Sequence, residues 1–143
     1  MVCEKPDAAS RVARALDQHG QPSRQLSQGV PFYECDTPSG QIIVCSALGH
    51  LYTIDSKGNA PRRFYPVWDY QWRAKNEVEP KKSARLKTWI STITSLARRA
   101  DRFVNACDYD VEGALIGRQI LRHACNGADR QAERMKFSTM TEK

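Results

Sequence analysis

The chain has 143 residues, enough for one domain with a real core and too few for more. It carries 22 Lys and Arg against 16 Asp and Glu, a formal net charge of +6 that favours a polyanionic partner. No apolar run is long enough to span a membrane and there is no signal-peptide pattern, so a membrane protein is not expected. The five cysteines, Cys3, Cys35, Cys45, Cys107 and Cys125, fall at scattered spacings with no Cys-x-x-Cys. Buried free thiols in a reducing compartment are expected from them, and a zinc site is not.

The first residues, Met1-Val2-Cys3-Glu4-Lys5-Pro6, read as the tail of a strand, short enough to suggest that its leading residues precede Met1. Pro6 suits the first turn of a helix. Ala8, Ala9, Val12, Ala13 and Leu16 mark the apolar face of that helix, with Arg11, Arg14 and Asp17 on the other side and Gly20 as its C-cap. The loop of this β–loop–α unit carries Glu4 and Lys5. Glu4 is either a solvated acid near a terminus or, if this strand runs parallel to one ending at Cys107, a neighbour of the acids there.

Residues 21–31, rich in Gln, Pro, Ser and Gly, read as a loop. Two short strands, 32–35 and 41–45, flank Thr37-Pro38-Ser39-Gly40 as a β-hairpin. The second, Ile42-Ile43-Val44-Cys45, is apolar throughout and reads as central. It runs into Ser46-Ala47-Leu48-Gly49-His50-Leu51, where His50 at a strand exit is open to a structural reading and to a phosphate-contact one.

From Tyr52 to Lys82 prolines, aromatics and basic residues interleave. Such a mixture can stack on bases and pair with phosphates. It can also be an irregular insertion that docks its aromatics on its own body. Docking is favoured, because Tyr65-Pro66-Val67-Trp68 reads as a short strand with one buried face. Between Lys81 and Arg102, Leu86, Trp89, Ile90, Ile93, Leu96, Ala97 and Ala100 form the apolar side of an amphipathic helix. Its basic side, with Arg85, Lys87, Arg98 and Arg99, is either solvated or guides DNA or RNA towards the acids that follow.

Those acids lie where a strand hands over to a helix. Phe103, Val104, Ala106 and Cys107 form an apolar run of strand length, Asp108, Asp110 and Glu112 follow, and Leu115, Ile116, Ile120, Leu121 and Ala124 recur at helical spacing after Gly113. In an open α/β sheet the carboxyl ends of the strands are where ligands bind. Three close carboxylates raise one another's pKa, a cost that a hard divalent cation such as Mg²⁺ or Mn²⁺ removes. The alternative is a polar loop whose acids favour a helix N-terminus. Residues 134–138 then read as a last short strand, and Thr139 to Lys143 as the beginning of a helix. The order β–α, hairpin, insertion, α, β, α, β implies an α/β fold, a mostly parallel central sheet with helices on both faces.

Four separated motifs stand in this order: Cys3-Glu4-Lys5-Pro6, Ser46-Ala47-Leu48-Gly49-His50-Leu51, Asp108-Tyr109-Asp110-Val111-Glu112-Gly113, and Arg134-Met135-Lys136-Phe137-Ser138-Thr139-Met140-Thr141. Through them nearly the whole chain resembles the Toprim domain of type IA DNA topoisomerases of the archaeal kind. The resemblance implies a compact Rossmann-like fold forming a single Toprim domain over residues 1–143, with an insertion at about 52–82. It implies Glu4 as general acid or base at the scissile phosphodiester, Lys5 as a holder of the scissile phosphate, and Asp108, Asp110 and Glu112 as the Mg²⁺ triad. His50 and Arg134 become candidate phosphate or DNA contacts. The implied partners are single-stranded DNA and the remaining domains of a topoisomerase, in the cytoplasm at the nucleoid.

Two departures qualify that picture. Many family members carry Asp-x-Asp-Arg-Glu-Gly-Glu, where this chain has Val111 for the Arg and Ala114 for the second Glu. One phosphate contact and one acid are thereby lost. The tyrosines, Tyr33, Tyr52, Tyr65, Tyr70 and Tyr109, match no nucleophile motif of the kind that a later topoisomerase domain carries. The expectation is a catalytic module inactive in strand passage by itself. The alternatives are a stand-alone Toprim nuclease or primase-like enzyme and a non-catalytic nucleic-acid-binding module, since one fold hosts all three roles.

Overall fold

A computed structural model describes residues 1–57, 66, 68–79, 81 and 83–137. Its elements are β1 (Val2–Cys3), α1 (Pro6–Leu16), β2 (Ser23–Ser27), β3 (Val30–Thr37), β4 (Gly40–Ser46), β5 (Tyr52–Ser56), β6 (Tyr70–Ala74), α2 (Lys75–Val78), α3 (Ser83–Ala97), β7 (Val104–Asn105), α4 (Val111–His123) and β8 (Glu133–Arg134). Six strands form one sheet in the order β2-β3-β4-β1-β7-β8, and β5 and β6 form a separate hairpin. β1 lies parallel to β4 through Val2↔Cys45 and to β7 through Val2↔Asn105, and β7 lies parallel to β8. β2, β3 and β4 form an antiparallel flank. The mostly parallel α/β expectation therefore holds for the part of the sheet that carries the motifs.

Strand pleating divides the apolar residues between two cores, because successive side chains point to opposite faces. Cys3, Cys35, Val44 and Ala106 pack with Ala9, Val12 and Ala13 of α1 on one face. Val2, Phe32 and Cys45 point the other way and meet Leu86, Trp89, Ile93 and Leu96 of α3 with Ile116, Ile120 and Leu121 of α4. Helices thus cover both faces. α1 starts with Pro at its first position. Beyond its end the Asp17 carboxylate accepts the amides of His19, Gln21 and Asp36, each at 3.0 Å, and so ties the helix to β3. On the opposite face the indole N–H of Trp89 donates to the Ser46 carbonyl at 2.7 Å, seating α3 at the exit of β4.

Several elements differ from the sequence reading. Residues 23–27 form an edge strand rather than a loop, and their polar Ser-Arg-Gln-Leu-Ser pattern reflects exposure of almost the whole strand. The stretch from Tyr52 is not wholly irregular: Tyr52↔Ala74 and Ile54↔Trp72 register a hairpin whose Tyr52 is buried and whose Trp72 packs against the core. Docking of aromatics on the body is therefore true of these two, whereas Trp68 is 85% exposed. Tyr65 and Val67 of the expected strand there lie outside the described residues. The last strand covers only Glu133–Arg134, and the helix expected from Thr139 also lies outside the described residues. Among the described residues no helix is long and apolar enough to cross a membrane.

All five cysteines are buried and unpaired. Desolvation pushes the Cys3 and Cys125 thiols up to about 12 and raises Cys45 and Cys107 as well, so each stays a protonated, unreactive thiol at neutral pH. A thiol–disulfide reagent should label the native chain slowly at pH 7 and all five sites rapidly in denaturant. Rapid labelling of a native cysteine would show that the core around it opens.

Candidate metal and phosphate site at the carboxyl edge of the sheet

Because β1, β4 and β7 run parallel, their carboxyl ends share one edge. The ladder continues past the strand ends: the Ala47 amide donates to Cys3 O and the Ala106 amide to Val2 O, both at 2.8 Å. The three exits are thus fixed relative to one another before any functional side chain is reached. Glu4 leaves β1 with only 8% of its surface exposed. Lys5 follows in extended backbone as the N-cap residue of α1. Its ammonium lies 3.3 Å from Glu4 Oε1 and 3.6 Å from Asp108 Oδ2. Two carboxylates from two strands therefore converge on a single positive charge. The hydrogen bond to Glu4, with the charges of Glu4 and Asp108, holds the Lys5 ammonium above the usual lysine range.

The other two acids of the loop are placed by α4. Asp110 is its N-cap: the backbone is extended and Oδ1 accepts the Gly113 amide at 2.7 Å. Glu112, in the first turn, has Oε1 3.2 Å from Nε2 of His50, which comes from the loop after β4. The three acids thus face three partners: Lys5, a helix terminus and His50. Among the described residues no three His, Cys, Asp or Glu side chains gather closely enough to hold an ion. The donor chemistry nonetheless fits a hard dication, since Glu4 and Asp108 offer carboxylate oxygens and already hold a cation in the Lys5 ammonium.

The approach of α4 to this loop depends on two glycines. A Cβ at Gly113 would stand 2.3 Å from the Asp108 carbonyl oxygen, and one at Gly117 would stand 2.2 Å from Asn105 Oδ1. Only hydrogen fits at either position. Gly113 belongs to the acidic motif, whereas Gly117 and Asn105 escaped the sequence reading. The spacing of two glycines, one helical turn apart and facing a strand exit, was the available signal.

The remaining candidates separate. Arg134, half-buried, turns its terminal nitrogens onto Asn105, Cys107 and Asp108, and its guanidinium lies 5.3 Å from the Tyr109 ring centroid. Arg85 lies over the Trp89 ring at 5.7 Å, near the β4 exit. Lys87 and Arg98 line an open groove of about 490 Å³ with Glu77, Ile90 and Thr94, where α3 faces α2. Arg99 pairs with Glu34 of β3, and Arg102 with Glu133. The basic side of α3 is therefore not one uniform surface.

Comparison with known families matches residues 1–140 to the Toprim domain. Among curated proteins the chain is 38% identical over 143 residues to DNA topoisomerase 1 of Methanocaldococcus jannaschii, covering 100% of this chain and 18% of the relative. It is 38% identical over 146 residues to DNA topoisomerase 1 of Pyrococcus horikoshii, covering 100% and 20%. It is 34% identical over 142 residues to that of Methanothermobacter thermautotrophicus, covering 99% and 19%. The chain spans about a fifth of the length of these relatives. A match of this extent, over a sheet whose parallel edge gathers Glu4, Lys5, Asp108 and Glu112, places the chain in the Toprim family.

Proposed function

We propose that this chain is the Toprim module of a type IA DNA topoisomerase, one unit over residues 1–143 in which the β5–β6 hairpin and α2 form an insertion. It would contribute Mg²⁺ binding and acid–base chemistry to transient cleavage and religation of single-stranded DNA, in the cytoplasm at the nucleoid, with the remaining topoisomerase domains as partners. The observation that carries this reading is the Lys5 ammonium shared between Glu4 and Asp108.

In this role Glu4 moves a proton at an oxygen of the scissile phosphodiester, from a position shielded from bulk water. Lys5, exposed on its outer side, turns from the two carboxylates to a phosphate oxygen. Asp108, Asp110 and Glu112 hold the metal, with Mn²⁺ as a substitute for Mg²⁺, and His50 orients Glu112. When bound, Mg²⁺ would neutralise charge on the phosphate and on the three carboxylates. Val111, 88% exposed, carries no charge and leaves the phosphate to Lys5 and His50. Arg85, Lys87 and Arg98 supply the attraction that brings a strand to this edge.

Metal binding should appear as stabilisation. Ligand present at ten times its Kd stabilises the folded state by about 1.4 kcal/mol, which corresponds to a shift in Tm of roughly 3–8 °C. Wild type should gain this shift in millimolar Mg²⁺, and Asp108→Asn and Asp110→Asn should not. Asn also caps helices well, so Asp110→Asn removes charge without removing the cap. Identical midpoints with and without metal in wild type would contradict the reading.

Single-stranded DNA should bind weakly and with strong salt dependence, because phosphate contacts release counterions. Changing Arg85, Lys87 and Arg98 together to Ser should flatten the plot of log K against log salt. Arg99 is left in place because it pairs with Glu34. A wild-type affinity insensitive to salt would mean that the basic side of α3 is merely solvated.

A further inference from the structure

The geometry points to Arg134 as a positioning residue, one that fixes the Asp108–Asp110 loop and makes no contact with nucleic acid itself. This rests on the metal-binding reading above for its functional consequence, but the clamp stands on its own contacts. Nη1 donates to Asn105 O at 3.0 Å, Asn105 Oδ1 at 3.0 Å and Cys107 O at 2.8 Å, and Nη2 donates to Asp108 O at 2.7 Å. One guanidinium therefore gathers the carbonyls of Asn105, Cys107 and Asp108 along the exit of β7, up to the first acid of the loop.

The placement follows from the sheet. β8 pairs with β7 through Asn105↔Arg134, and the Met135 amide donates to Asn105 O at 3.0 Å. Arg134 is thus held beside the exit by a strand that arrives from 29 residues further along the chain. Beyond Asn105 the ladder stops and the exit carbonyls need other donors. A guanidinium supplies several donors in one rigid plane, which the point charge of an ammonium does not. The same group lies 5.3 Å from the Tyr109 ring, with Lys136 5.1 Å from it. Tyr109 is flanked in sequence by Asp108 and Asp110, so contacts at its ring and at the Asp108 carbonyl hold the backbone that carries both carboxylates. The Asp108 backbone is thus held from two sides, by α4 at Gly113 and by Arg134. Nη1 spends both of its hydrogens, and Nη2 one of its two, on the β7 exit, so the fork is turned to the loop rather than outward to a phosphate.

The test compares wild type with Arg134→Lys, which keeps the charge and loses the fork. Partners that orient metal ligands are typically worth about 10–100-fold in metal affinity. Mn²⁺ titration followed by electron paramagnetic resonance should show a loss of that order in Arg134→Lys. Amides 107–110 should exchange with deuterium faster in the variant, while single-stranded DNA measured without metal keeps its salt dependence. Wild-type Mn²⁺ affinity in Arg134→Lys, or unchanged exchange of the loop amides, would overturn the inference. In Arg134→Gln, which removes the charge, a salt slope lower by about one would also overturn it, as the signature of a lost phosphate contact. No Mn²⁺ uptake by wild type would sink the metal-binding reading instead, and loop-amide exchange would still decide the clamp. Should Arg134→Lys fail to fold, side-chain NMR of wild type serves: Arg134 guanidinium protons should exchange slowly and stay unshifted when oligonucleotide is added, and a shift would overturn the inference.

Discussion

The parallel pairing of β1 with β4 on one side and β7 on the other sets the distance between the groups at the site. β1 has only two residues, and they serve different cores, Val2 entering one and Cys3 the other. Because Val2 is registered with both Cys45 and Asn105, the chain after Cys3, after Ser46 and after Asn105 emerges at one edge. Glu4 and Asp108 come from positions far apart in sequence and still share one ammonium. Shifting β1 by one residue would exchange its two faces and carry Glu4 away from that edge.

Electrostatics and packing divide the work at the edge unequally. Lys5 is exposed, so solvent screens its contacts with Glu4 and Asp108, and the pair contributes little to folding stability. Its significance is geometric, in marking where positive charge is wanted. Packing supplies the rigidity: Gly113 and Gly117 let α4 approach the β7 exit, Asp110 closes the first turn, and Arg134 binds the carbonyls opposite. A site built for charge is thereby held in place by contacts that are mostly not between charges.

The handover from strand to helix at Asp108–Gly113, the apolar face of α1 and the burial of the cysteines were legible because each is a local pattern with its own period or composition. The nearness of Glu4 to Asp108 was legible only as a consequence of parallel pairing. Less could be read where exposure removes the pattern, as in β2, or where pairing spans a gap, as between Tyr52 and Ala74. Local sequence could not show that Glu112 turns to His50, since that choice depends on the loop after β4. The pairing of Arg99 with Glu34 was hidden for a similar reason, because the acid lies on a strand 65 residues away.

On the function proposed above, Asp108, Asp110 and Glu112 hold a divalent cation at the parallel edge, beside Glu4 and Lys5. Crystals of the chain grown with Mn²⁺, measured at a wavelength where manganese scatters anomalously, probe that position without intermediaries. An anomalous peak is expected within bonding distance of the Asp108, Asp110 and Glu112 carboxylates. Saturating Mn²⁺ with no peak among these three carboxylates would contradict the proposed function.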